Sequence, residues 1–150
     1  MQVDLLIENG LLVVPRSGSF RGCIGIAGEK IVGIYGSSDG ISAREKIDAR
    51  GNPILPGLLD PHVHYGLYGS LEDHFETETA SAATGGITTV IPFYRDYHPP
   101  ASLYENFPSL RATGERNARV DFSIHLGLVR WDQLTHLQKY MNEYGVTSFK

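Results

Sequence analysis

The chain has 150 residues, 41% hydrophobic and 20% charged, an ordinary globular balance with enough apolar material for a core. Its 13 basic and 17 acidic residues leave a net charge of −4 with no basic run, which argues against nucleic acid or an anionic membrane as a partner. A single cysteine, Cys23, rules out an internal disulfide; no apolar run approaches the roughly 20 residues that span a bilayer, and Asp4 and Glu8 interrupt the start where a signal peptide needs a clean apolar segment, so a cytoplasmic protein is expected.

Residues 1–53 alternate short apolar segments with glycine and read as a small β domain. In "DLLIENGLLVVP" the Asn9-Gly10 pair between two apolar runs predicts a tight hairpin, because such turns need positive φ. "CIGIAGEKIVGIYG" predicts a second hairpin turning near Gly28-Glu29, and "EKIDARGNP" one more short strand and a turn.

The rhythm changes over residues 54–150. Apolar segments begin near Ile54, Ile87, Val120 and Val146, with helix-like stretches between them, a repeat of about 30 residues that suits strand-helix units. Ser70 and Asp73 form a possible capping box for the first helix, and Gly85-Gly86 can end it. Pro108 is expected to kink or split the second helix. A third is expected from Trp131 to Tyr144, with Leu134, Leu137, Met141 and Tyr144 as its apolar stripe and Gly145 after it. This alternation predicts an α/β fold with a parallel sheet or a (β/α) barrel. Four units make half of an eight-fold barrel, so the expectation is the N-terminal half of a TIM-type (β/α)8 barrel from a longer natural protein.

"LPGLLDPHVHYG" carries the strongest chemical signal. Alternate residues of a strand face one side, so His62 and His64 point together and can converge on one metal ion. They close the first barrel strand, the end at which barrel active sites are built. Asp60 is placed to orient a histidine or support the ligands. The plain alternative is two loop histidines after a strand; the barrel context favours metal. In "VDFSIHLG", Val120, Phe122, Ile124 and Leu126 share one face, and Asp121, Ser123 and His125 the other. His125 reads first as a hydrogen-bonded interior histidine, with a role beside the ligands as the alternative. Lys150 ends "GVTSFK" and shares a face with Ser148 and Val146. An ammonium group in a metal-filled mouth would repel metal. Carboxylation by CO2 would turn it into an anionic ligand, but the residues alone favour a surface lysine at a strand end.

Together these segments resemble the cyclic-amidohydrolase branch of the amidohydrolase superfamily, which includes hydantoinase and dihydropyrimidinase, with allantoinase and dihydroorotase as relatives. "DLLIENGLLV" is similar to that family's opening β segment, and "GNPILPGLLDPHVH" to its first barrel strand and first ligand pair. "ETETASAATGGITTVIPF" is similar to its first helix and second strand, and "VDFSIHLGL" and "YGVTSFK" to its third and fourth strands. The resemblance implies that His62 and His64 bind one of two divalent metal ions, Zn2+ being the expected one. It reverses the plain reading of Lys150, which resembles a lysine that is carboxylated and bridges both metals. Two further histidines and a catalytic aspartate are implied beyond residue 150, as is a C-terminal segment that completes the small domain as a β-sandwich. The implied reaction is attack of metal-generated hydroxide on a ring amide carbonyl, opening a hydantoin or dihydropyrimidine to an N-carbamoyl amino acid. The partner implied is a small cyclic amide, in a protein whose relatives are commonly tetramers.

Within the branch, dihydroorotases resemble "HxHLR", whose arginine grips the substrate carboxylate; here Gly66 occupies that position in "HVHYG". Arg95, after the second strand, reads as a solvated loop arginine rather than an anion binder. Tyr65, Leu67, Tyr68, Phe93 and Tyr94 either wall a pocket for an apolar ring substituent or pack their loops. A mononuclear deaminase shares His-x-His but lacks the strand-four lysine. A noncatalytic dihydropyrimidinase-like scaffold loses ligands that are intact here. Allantoinase-like or dihydroorotase-like ring opening remains the nearer alternative.

Overall fold

The structure, a computed structural model, describes residues 2–96 and 103–150. It divides into two compact units that part between Pro56 and Gly57.

The first unit is a five-stranded sheet. β1 (Gln2–Val14) pairs antiparallel with β2 (Gly18–Ala27), and β2 with β3 (Lys30–Tyr35). On its other side β1 pairs in parallel with β4 (Ser42–Asp48) and then with β5 (Pro53–Ile54). Val3, Leu6 and Cys23 form its buried cluster. The hairpin at Gly28-Glu29 forms. The one expected at Asn9-Gly10 does not: β1 runs straight through, with a register shift between Ile7 and Gly10. Asn9 alone takes positive φ, at 57°, whereas a two-residue hairpin of the expected type needs both turn residues there. The pair therefore makes a bulge. Asn9 Nδ2 donates to Asp48 Oδ1 at 3.0 Å and the Asn9 carbonyl accepts from Gly51 at 2.7 Å, so the bulge is held by the turn that follows β4.

In the second unit β6 (Leu58–His64), β7 (Ile87–Arg95), β8 (Asp121–Phe122) and β9 (His125–Gly127) are all parallel. β8 and β9 both pair with β7 and are one strand interrupted at Ser123-Ile124. A bridge from Leu126 to Phe149 places the last residues next in line. The order is therefore sequential, as the strand-helix repeat predicts. The first barrel strand begins at Leu58 rather than Ile54, which belongs to β5.

Helices cover one face of this sheet. α1 (Leu71–Thr84) starts at Ser70, whose Oγ accepts the Asp73 N–H at 3.0 Å, and ends at Gly85. α2 (Leu103–Asn117) stays a single helix with Pro108 in its second turn, where the expected split does not occur. The expected third helix is two: α3 (Trp131–Leu134) and α4 (Leu137–Tyr144), the latter capped by Gly145 at φ 69°. Its expected stripe is also shifted. Met141 is 51% exposed and Leu134 38%, whereas Tyr140 is fully buried and Gln133 nearly so. Gln133 spends its amide on Asp96 and on the backbone N–H groups of Val129 and Arg130, which is why a polar residue takes the inward position. Phe75, Val90, Leu103, Phe107, Leu126 and Tyr140 dominate the core between sheet and helices.

α2 sits directly on Phe122. A Cβ at Gly114 would meet three carbons of that ring, two of them at 2.7 and 2.9 Å. Gly114→Ala would gain about 1 kcal/mol of helix propensity. It is nevertheless expected to destabilise, because overpacking a core costs about 1–3 kcal/mol. A lower urea midpoint for the variant checks this; a higher one would show that the ring moves aside freely.

Candidate metal centre

The face of the sheet away from the helices gathers the polar residues. His64 of β6, Phe93 of β7 and His125 of β9 stand in register across three strands. Their side chains meet around the Phe93 ring, whose centre lies 5.9 Å from that of His62, 5.3 Å from His64 and 5.4 Å from His125. Phe93 itself is only 6% exposed, so it is the apolar floor of the cluster.

His62 and His64 converge: their Nε2 atoms are 3.1 Å apart. Metal–imidazole bonds of about 2.0–2.1 Å set two ligand nitrogens on one ion roughly 3 Å apart. The separation therefore fits a shared ion. Asp60 Oδ1 accepts the His62 backbone N–H at 3.0 Å, so it fixes the strand end that carries the imidazoles rather than touching a ring. The pairing of β6 with β7 shifts register between Asp60 and Val63, the stretch that holds His62. The His64 pKa lies below its usual value, chiefly from loss of hydration at the ring and then from positive charge at His62, Arg95 and Lys150. That favours neutral imidazole, the form that ligates metal.

His125 shares a hydrogen bond through Nδ1 with Ser148 Oγ, while its Nε2 is buried with no partner. A buried polar atom left unpaired is costly and needs an explanation; a group held at this centre supplies one. Burial first, then positive charge at His62 and Lys150, lowers the His125 pKa. Ser148 was not singled out in the sequence, although its alternation with Lys150 was visible. Lys150 sits beside them. Its N–H donates to the Leu126 carbonyl at 2.9 Å, its carbonyl accepts from Leu128 at 2.8 Å, and its Nζ lies 5.3 Å from the Phe93 ring centre. Among the described residues no group of three His, Cys, Asp or Glu side chains is assembled for a metal; the histidine pair and the lysine are what this part of the chain brings together.

Beside the cluster opens a cleft of about 320 Å³ lined by residues 64–67 and 93–96. Leu67, Phe93 and Tyr94 line it. Tyr65 also borders it, but is 5% exposed and stacks edge-on against Phe75, so its main work is in the core, and burial pushes its hydroxyl pKa up to about 12. Tyr68 is 92% exposed and does not reach the cleft, a correction to the expected aromatic wall. The chain turns out of β6 at Gly66, whose φ of 71° explains a glycine there.

No family model matches the chain. It is 34% identical to an allantoinase of Deinococcus radiodurans, an alignment covering 100% of this chain and 33% of that protein. It is 35% identical to a D-hydantoinase of Geobacillus stearothermophilus, over 97% of this chain and 31% of the relative. The L-hydantoinase (dihydropyrimidinase) structure from Arthrobacter aurescens superposes with a TM-score of 0.84 over 98% of this chain and 32% of its own, at 29% identity. Along its length the chain is similar to proteins named allantoinase, D-hydantoinase and L-hydantoinase. It spans about a third of the length of the curated relatives it matches. The fold of the chain is mixed α/β and matches the hydantoinase structures, consistent with part of a TIM-type barrel and an N-terminal domain. No helix among the described residues is long and apolar enough to cross a membrane.

Proposed function

We propose that the protein of which this chain is part is a metal-dependent hydrolase that opens a cyclic amide of the hydantoin or dihydropyrimidine type. The observation that carries the reading is the convergence of His62 and His64 Nε2 atoms at 3.1 Å, beside Lys150, on the sheet face of a cyclic amidohydrolase fold. His62 and His64 would ligate one of two divalent ions, with Zn2+ the metal of choice for imidazole and oxygen donors. Lys150 would join as a carbamate: its neutral amine forms an N–C bond to CO2 and releases a proton, leaving an anionic oxygen donor shared by both ions. Bound there, the ions supply a polarised ring carbonyl and a water acidic enough to attack it near neutral pH.

The chain's own residues do the rest of the local work. Asp60 holds the strand end of the imidazole pair, Ser148 orients His125, and Phe93 keeps one side of the centre apolar, which strengthens electrostatics there. Leu67 and Tyr94 face the ring substituent, with Tyr65 behind them. A proton shuttle to the leaving nitrogen would be supplied by a residue other than the ones gathered here. A tetramer of cytoplasmic subunits is the proposed assembly.

The test is hydrolysis of hydantoin, dihydrouracil and dihydroorotate by the full-length protein. Hydantoin and dihydrouracil are expected to be opened faster than dihydroorotate, because Gly66 offers no carboxylate clamp beside the histidines. Chelation is expected to remove activity and readded Zn2+ to restore it. Undiminished turnover in the chelated, metal-free protein would refute the reading. Allantoin, the substrate class named by the Deinococcus relative, is the second ring to try.

A further inference from the structure

The loop that leaves β6 is held by a residue outside the metal centre. Residues 66–69 form no helix or strand. Among the described residues, the hydrogen bond that ties them down runs from the Gly66 N–H to His74 Nδ1, at 2.9 Å. His74 stands in the first turn of α1, where its own N–H donates to the Ser70 carbonyl at 3.1 Å, so the acceptor is carried by the helix that Ser70 caps. Nδ1 accepts here, and the ring proton therefore belongs on Nε2.

The loop is shaped around this ring. A Cβ at Gly69 would lie 2.7 Å from His74 Nε2 and 3.3 Å from its Cδ2, so the glycine leaves the space that the imidazole fills. Tyr65 approaches the ring edge-on, with centres 6.4 Å apart, and is itself packed on Phe75. One imidazole thus gathers Tyr65, Gly66 and Gly69. It does not line the cleft of about 320 Å³, whose wall on the β6 side is residues 64–67. Leu67, Phe93 and Tyr94 give that cleft its apolar side, while Arg95 and Asp96, which also line it, have partners of their own.

We propose that His74 is a positioning residue for substrate selection: by accepting the Gly66 N–H it holds residues 65–67 as a fixed wall of the cleft, against which a bulky apolar substituent of the ring packs. The inference rests on the ring-opening reading above and names its substituent class. A loop free to move would have to be ordered each time such a substituent bound, and the lost entropy would be subtracted from affinity. The bond to His74 orders the loop beforehand. An unsubstituted ring has nothing to place against Leu67, so its affinity is indifferent to the loop.

The experiment compares 5-benzylhydantoin with unsubstituted hydantoin on the full-length, metal-loaded enzyme, reading Kd by calorimetry, and KM and kcat separately. His74→Leu fills the space without an acceptor. It is expected to weaken the benzyl compound about 3- to 10-fold in Kd and KM, the worth of one hydrogen bond, and to leave kcat and the affinity for hydantoin within about twofold. His74→Asn, whose side-chain oxygen stands near the position of Nδ1, is expected to recover most of the loss. Amide hydrogen exchange across residues 65–69 should quicken in His74→Leu and slow again in His74→Asn. Circular dichroism establishes that the variants fold; should His74→Leu not fold, Gly69→Ala, whose Cβ displaces the imidazole, makes the same test. Equal loss for both rings, no loss for the benzyl ring, or no recovery in His74→Asn would overturn the proposal. Selective loss of affinity for the benzyl ring without turnover of either ring would sink the hydrolase reading and keep the role of His74. Turnover of both rings with affinities unmoved by His74→Leu would do the reverse.

Discussion

Lys150→Ala in the full-length enzyme is expected to lower kcat/KM by at least about a thousandfold, the equivalent of roughly 4 kcal/mol of lost transition-state stabilisation. The lysine is placed for such an effect. Two backbone hydrogen bonds lock it to the Leu126–Leu128 segment, and its ammonium nitrogen shares the Phe93 ring with the histidine pair. As a cation it would oppose metal binding; as a carbamate it would hold both ions. Such a modification would be reversible, and occupancy of the metal site would draw it forward by mass action. Recovery of metal-stripped enzyme should therefore require metal and bicarbonate together. A short carboxylic acid added to Lys150→Ala is expected to restore part of the activity by filling the vacated space. Lys150→Arg should not recover, since a guanidinium neither loses its proton nor takes up CO2 in this way. Equal reactivation in CO2-depleted buffer would leave the lysine without this role.

His62→Ala and His64→Ala should each cost as much in turnover while leaving the fold nearly untouched. Both residues are exposed, and neither belongs to a buried cluster, so a stability change within about 0.5 kcal/mol is expected. Metal content, measured by elemental analysis after dialysis, should fall in both variants. Because the two Nε2 atoms approach to 3.1 Å, the double variant should lose little more than either single one: one ligand site is being removed, not two. Retained metal and full turnover in either single variant would end the assignment.

The parts of this molecule that could be read in the sequence are those where one local rule acts alone. Alternation in "VDFSIHLG" put Ile124 and Leu126 toward the core and His125 away from it, and both placements hold even though the strand is interrupted between β8 and β9. Ser70 and Gly85-Gly86 marked the ends of α1 for the same reason. The failures are places where partners distant in sequence decide. Asn9-Gly10 carries a turn signal, but Asp48 takes the Asn9 side chain, Gly51 donates to the Asn9 carbonyl and the Asn52 carbonyl accepts from the next residue, Leu11, which keeps β1 running. The helical period from Trp131 to Tyr144 concealed a break, because Gln133 is held inward by Asp96 from another strand end and Tyr140 takes the core position in place of Met141. Arg95 reads as a solvated loop arginine because nothing near it in sequence explains it. Its setting is made by Gly127, some thirty residues on and visible only when strands are laid side by side.

Phe93 has no atom that can bind metal, donate a proton or carry charge, yet His62, His64, Arg95, His125 and Lys150 all rest on its ring. Substitutions at those five positions will consequently be epistatic, each altering the seat on which the others were selected. A substitution at Arg95 would disturb the histidine pair through the shared ring, and repair would come from residue 93 or from its neighbour Gly127. Leu67, which borders the same cleft from the loop after β6, offers a route to new substituents less tied to that ring. Diversification in this protein is thus expected to be easy from the loop and slow from the strand.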